Sequence, residues 1–97
     1  MVDCCPKSWL KFFKAICDEH RQKILELLHH HEKLNASEIV KKLKLSQPTV
    51  SHHLKILVES DTIKSVKKGK EVFYTLSKNH ISKCCHGFME HFTKKKK

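Results

Sequence analysis

The sequence predicts a small, mainly α-helical domain carrying a two-stranded β-hairpin and a further helix behind it. Three observations carry that expectation. Two glycines and two prolines, Gly69, Gly87, Pro6 and Pro48, are the sole strong breakers in 97 residues. Apolar residues recur at helical spacing through most of the chain, and between Ser60 and Ser77 they change to β-branched and aromatic types at strand spacing. At 11.4 kDa the chain has room for one domain, residues 1–97, with flexible ends expected at about 1–6 and 94–97.

Each element has its own local signal. Leu10, Phe13, Ala15, Ile16 and Cys17 mark a first helix, with Cys17 expected in the core because cysteine is among the most buried residue types. Asp18 is placed to N-cap a second helix whose Ile24, Leu25, Leu27 and Leu28 repeat on a 3.6-residue period. His29 to Lys33 reads as a polar, solvated connection. Asn35, with Glu38 three residues later, has the form of a capping box and opens a short helix with Ile39, Val40 and Leu43 inward. Three linking residues, Lys44 to Ser46, lead to a longer helix from Gln47 to about Val58, capped by Ser46. Thr62, Ile63 and Val66 form one strand; Val72, Phe73, Tyr74 and Leu76 form the other. Lys67, Lys68, Gly69 and Lys70 make a basic tip between them. The last helix sets Ile81, Cys84, Cys85, Phe88 and Phe92 on one stripe, a surface suited to pairing, and the chain ends in four lysines. His86 and Glu90 lie on its far side and read as surface.

Charge narrows the partner. Twenty Lys and Arg against ten Asp and Glu give a net charge of +10, and Arg21 is the one arginine among the twenty. A polyanion is the natural partner for such a chain. The longest apolar run is three residues, where a membrane span needs roughly 18 to 20. Met1 to Leu10 lacks the apolar segment of a secretion signal, so the chain is expected to be soluble and cytoplasmic, with no membrane partner. An enzyme built on a Cys/His pair is not expected, because no orienting Asp or Asn is evident and the chain is too small to enclose a substrate. Five cysteines at 4, 5, 17, 84 and 85 include two adjacent pairs and an odd total, a poor layout for disulfides, and are expected as thiols.

A short helix, a tight turn and a longer helix place the second helix in a DNA major groove. From Ile39 to Val58 there are four lysines and no acid. Gln47, Thr49, Ser51, His52, His53 and Lys55 are expected to face outward, with polar groups that reach base edges or phosphates. Val50, Leu54, Ile56, Leu57 and Val58 belong inward. The basic hairpin downstream adds phosphate clamps beside the reading helix.

At this point a family can be named. Ile16 to Leu28 (ICDEHRQKILELL), Ala36 to Leu57 (ASEIVKKLKLSQPTVSHHLKIL) and a hairpin ending in VFYTLS closely resemble the ArsR/SmtB family of winged helix-turn-helix repressors. The resemblance spans roughly residues 10 to 92, and Leu45 to Leu57 is its most specific piece. It implies a homodimer joined through the terminal helices, bound to an imperfect palindrome in double-stranded DNA and released by an inducer, with no cofactor needed for DNA binding. On this chain Gln47, Pro48, Thr49, Ser51 and His52 would face bases or nearby phosphates, and Lys67, Lys68 and Lys70 would meet the backbone. Lys44 stands where the family often has glycine.

Many members of that family sense metals. The Cys-x-Cys site before the turn has no counterpart, since Ser37 to Leu43 contains no cysteine. The site on the last helix follows D-x-H, ten residues, H-x-x-E/H; His80 and His91 keep that spacing, but Lys78 and Lys94 stand at the other two positions. An ammonium is no ligand at neutral pH and repels a dication. At 100° per residue His80, Cys84 and His91 share one strip of the helix, yet the two histidines are about 16 Å apart along its axis, so one ion reaching both needs a second subunit. Cys84 and Cys85 could instead join Cys4 and Cys5 in a thiolate-rich site for As(III), Sb(III), Cd(II), Pb(II) or Zn(II). Thiol oxidation in place of metal binding, or a DNA-binding protein with no sensor at all, are the competing expectations.

Overall fold

The computed structural model describes residues 6–93. Cys4, Cys5 and the terminal lysines Lys94–Lys97 lie outside them. The elements run α1 (Pro6–Ile16), α2 (Glu19–His30), β1 (Leu34–Asn35), α3 (Ala36–Leu43), α4 (Gln47–Glu59), β2 (Ile63–Lys68), β3 (Glu71–Leu76) and α5 (Lys78–Thr93).

The caps read from the sequence are in place. Asp18 accepts from the Arg21 N–H at 3.0 Å and starts α2. Asn35 and Glu38 close a reciprocal capping box at 2.8 Å each way, and Ser46 Oγ accepts from the Thr49 N–H at 3.2 Å. With Pro48 in its first turn, where no intrahelical donor is lost, α4 has a well-defined beginning. α2 continues through His29 and His30 instead of ending before them, and His30 meets Glu26 one turn back at 2.9 Å.

Two apolar clusters hold the chain together. The larger gathers Ala15, Ile24, Leu28, Leu34, Ile39, Val50, Leu54, Leu57 and Ile63 from six elements, so α2, α3 and α4 share one centre with the base of the sheet. Trp9, Phe12 and Cys84 form the second, where α1 packs on α5. Around it Trp9 and Phe13 each meet Phe88 edge-on, at 5.7 and 5.0 Å between ring centroids. Such pairs add about 0.5–1.5 kcal/mol beyond burial.

The sheet has three strands in the order β1-β3-β2, all antiparallel, one more than the expected hairpin. β1 is only Leu34 and Asn35, paired with Tyr74 and Phe73. The hairpin register sets Lys68 opposite Glu71, so the tip is the two-residue turn Gly69-Lys70, with Gly69 at φ 64°. A positive φ at the first central residue is the II′ pattern that suits the twist of a hairpin.

Cys17 departs from expectation: it is exposed. Phe12 and Ala15 take the inner positions of α1, and Cys17 falls just past the helix end, where its N–H still reaches the Phe13 carbonyl at 3.1 Å. Cys85 likewise leaves the expected stripe of α5 and is exposed, because one residue is a 100° step from buried Cys84.

Candidate nucleic-acid interface

The reading head is built by a turn and a cap. α3 ends at Lys44, whose φ of 57° and ψ of 41° put it in the left-handed region while its N–H returns to the Val40 carbonyl at 2.8 Å. Two residues later Ser46 restarts the chain as α4. The other end of α4 closes with Asp61 at φ 59°, its N–H on the Val58 carbonyl at 2.9 Å and the Thr62 N–H on the Leu57 carbonyl at 3.0 Å. That pair of crossed bonds is a Schellman motif, and it turns the chain straight into β2. Recognition helix and hairpin are therefore joined by a fixed corner. A groove of about 260 Å³ runs between them, lined by Ser51, Lys55 and Val58 on the helix and Ser65, Val72 and Tyr74 on the sheet.

The outward face of α4 carries Gln47, Pro48, Ser51, His52 and Lys55, all exposed, with Thr49 half-buried. Thr49 also receives the Ser46 hydroxyl hydrogen at 2.8 Å, which fixes the side chain nearest the turn. Lys67, Lys68 and Lys70 are exposed at the far end of the hairpin. The face of α4 thus presents amide, hydroxyl and imidazole groups, and the hairpin tip presents three ammonium groups.

His53 is a correction. It was expected among the outward residues, but it is 8% exposed and lies on the inner face with Val50, Leu54 and Leu57. Its Nδ1 accepts a hydrogen bond from Arg21 at 3.2 Å. Burial pushes the His53 pKa below 6.5; the negative charge of Asp18 opposes that shift, and Arg21, His20 and His52 add to it. The spacing of positions 50, 53, 54 and 57 was the signal for this placement, and the polarity of histidine hid it. Arg21 itself was not among the candidates, although its being the one arginine set it apart.

The candidate sensor residues are only partly brought together. Cys84 Sγ lies 3.4 Å from His80 Nε2 one turn back, sealed under α1 with the Phe12 ring edge-on to His80 at 6.4 Å. Cys85 points away. His91 is exposed, its ring 5.5 Å from that of Trp9, and does not join His80. Among the described residues, no three His, Cys, Asp or Glu side chains gather as ligands to one ion.

A winged reading head of this shape has known relatives. The model of the arsR family of bacterial regulatory proteins matches residues 18–65. The transcriptional repressor SdpR of Bacillus subtilis (strain 168) is 40% identical over 65 residues, covering 67% of this chain and 71% of its own. The chain belongs to the ArsR family. The arsenical resistance operon repressor of Staphylococcus aureus is 38% identical over 71 residues, 73% of this chain and 67% of its own. Among solved structures, an ArsR-like transcriptional regulator from Rhodococcus sp. RHA1 matches with a TM-score of 0.81 at 26% identity, over 90% of this chain and 80% of that one. This ArsR-family chain is a winged helix-turn-helix, DNA-binding regulator of transcription, not an enzyme. None of its described helices is long and apolar enough to cross a membrane.

Proposed function

We propose that this chain is a cytoplasmic, homodimeric repressor that reads a palindromic operator with α4 and the hairpin and leaves it when a thiophilic ion binds cysteines at the terminal helices. The observation that carries the DNA half is the exposed face Gln47, Pro48, Ser51, His52 and Lys55 with half-buried Thr49, together with exposed Lys67, Lys68 and Lys70 on the hairpin that a fixed corner joins to α4. His53 is withdrawn from that set. For the dimer, the support is an apolar face left open on α1 and α5, with Leu10 54%, Met89 60% and Phe92 65% exposed.

The sensing half rests on donor chemistry. Cys84 and His80 offer a soft sulfur and an imidazole nitrogen on adjacent turns, in the seam between α1 and α5. Such a pair suits Cd(II), Pb(II) or Zn(II), and with Cys4 and Cys5 added it would also suit As(III) or Sb(III). Cys85 faces away from that seam and is the weakest member of the expected set. Its exposure, with that of Cys17, favours thiol oxidation as the second reading.

Fluorescence anisotropy decides between them. The reduced, chelator-treated protein is bound to a labelled duplex that it has itself enriched from a random-sequence pool, and As(III), Cd(II), Pb(II), Zn(II) and peroxide are added separately. Release by an ion, abolished by Cys84→Ser and retained by Cys85→Ser, is the expected result. Release by peroxide alone would establish the redox reading. Tight binding through every addition would remove both.

A further inference from the structure

The DNA-facing surface leaves Arg21 unused, yet this one residue of α2 reaches two other elements with its side chain. Its Nε donates to the Ala15 carbonyl in the last turn of α1 at 2.6 Å. Its Nη1 donates to His53 Nδ1 on the inner face of α4 at 3.2 Å. The Asp18 carboxylate holds its backbone N–H at the start of α2. The end of the α1/α5 pair is thereby tied to the recognition helix through a side chain clamped at both ends.

The chemistry of the contact fixes a proton. A guanidinium donates and never accepts, so Nδ1 must be bare and the His53 ring neutral, with its hydrogen on Nε2. Lysine cannot reproduce the contact, because one ammonium on a flexible stem does not serve two acceptors held in the plane of a fork. We propose that Arg21 is a positioning residue for DNA reading, which sets the roll of α4 by holding His53 as a neutral acceptor against the end of α1. This rests on the proposed base-reading role of Ser51 and His52, which flank the same turn of α4. Side-chain tips stand about 5–6 Å from a helix axis, so a roll of about 10° moves them about 1 Å. A displacement of that size spoils a base-edge hydrogen bond and leaves phosphate attraction nearly unchanged.

The tie is sensitive to protons. The charged and titratable groups acting on the ring are Asp18 at the N-cap of α2, His20 and Arg21 of α2 and His52 of α4 itself, with the His20 and His52 rings each 5.8 Å away. α1 supplies the Ala15 carbonyl through Arg21, and α3 and β2, which also pack on α4, place none of their residues among these groups. Protonation would set an Nδ1–H against a guanidinium N–H, donor to donor and cation to cation. The folded pKa lies below 6.5, so the contact is whole at neutral pH and is lost as the pH falls through that lowered value.

The test compares two duplexes, one enriched from a random pool by the unaltered protein and one of scrambled sequence, at pH 7.5 and at steps below it, at constant ionic strength. The readout is the ratio of the two affinities. The unaltered protein is expected to lose about tenfold of the ratio as the pH falls through the lowered His53 value. Arg21→Lys, which keeps the charge, should lose about tenfold already at pH 7.5. His53→Gln supplies a carbonyl oxygen that does not titrate, and should hold the ratio at pH 7.5 while removing the acid loss. Nitrogen-15 NMR of the His53 ring should find the Nε2–H tautomer in the unaltered protein. An unchanged ratio in Arg21→Lys, a proton on Nδ1 at pH 7.5, or an acid loss that persists in His53→Gln would each overturn the proposal. If Arg21→Lys does not fold by circular dichroism, the tautomer and His53→Gln decide. An unaltered protein without sequence preference sinks the base-reading role beneath it as well.

Discussion

Lys44 and Asp61 hold left-handed backbone angles without being glycine, and they bound the recognition helix on either side. The conformation costs an L-residue about 1–2 kcal/mol, part of which glycine would return as unfolded-state entropy. Lys44→Gly and Asp61→Gly should therefore each stabilise the protein by about 0.5–1 kcal/mol, read as a higher urea midpoint at unchanged slope. A lower midpoint for either would mean that its side chain holds the corner by contacts rather than tolerating it. Asp18 is a second test at this scale. Asp18→Ala removes a cap and should cost about 1 kcal/mol, whereas Asp18→Asn keeps the cap and loses the charge. The hydrogen bond from the Arg21 N–H holds the Asp18 carboxyl below its ordinary 3.8. Its stabilisation is present above that value and disappears as the pH falls through the lowered folded one, so the unaltered protein should lose more stability than Asp18→Asn between pH 5 and 2. Caps such as Asp18, Asn35 and Ser46 were legible in the sequence because each is a local bargain between one side chain and one N–H. The residue type of His53 argues against its phase on α4, and phase decided; Cys17 is exposed because α1 ends at Ile16, one residue before it.

Elements show the same division between local and distant causes. Both hairpin strands were legible from β-branched and aromatic residues around a glycine. β1 was not, since two residues have no period and Leu34–Asn35 becomes a strand only because β3 lies beside it. Thr75 Oγ1 donating to the Glu32 carbonyl at 3.0 Å, and Lys33 5.0 Å over the Phe73 ring, add to that docking. The hairpin is thus held along β3 while its tip remains open to a ligand. Replacing Lys67, Lys68 and Lys70 with serine removes three charges from the open end and none from the docked one. The log–log salt slope of DNA affinity should become shallower by about 3 per protomer, with the specific-to-nonspecific ratio mostly kept. An unchanged slope would show that the tip does not meet the backbone.

At the scale of the molecule, the proposed second copy is a matter of shape and uncovered apolar surface. The Cα radius of gyration is 14.9 Å, against about 12.5 Å for a compact domain of this length. The long axis is 53 Å and the others 27 and 21 Å. Trp9, Phe12 and Cys84 are buried where α1 and α5 pack, but Leu10, Phe88, Met89 and Phe92 on the same two helices stay open. A two-helix layer has too little interior to cover its own aromatic residues, and an identical layer related by a two-fold axis would cover both at once. That axis would also repeat the reading heads, matching a palindrome of two half-sites. Met89→Lys combined with Phe92→Lys places charge on the open face, at whose edge the Phe92 ring lies 6.3 Å from that of Trp9. The double variant should keep its helical circular dichroism, sediment as a monomer where the unaltered protein sediments as a dimer, and bind the enriched duplex at least a hundredfold more weakly, since one half-site alone remains in reach. A dimer that survives both charges would place the contact elsewhere. A monomeric unaltered protein with full DNA affinity would leave the open face of α1 and α5 to some other partner.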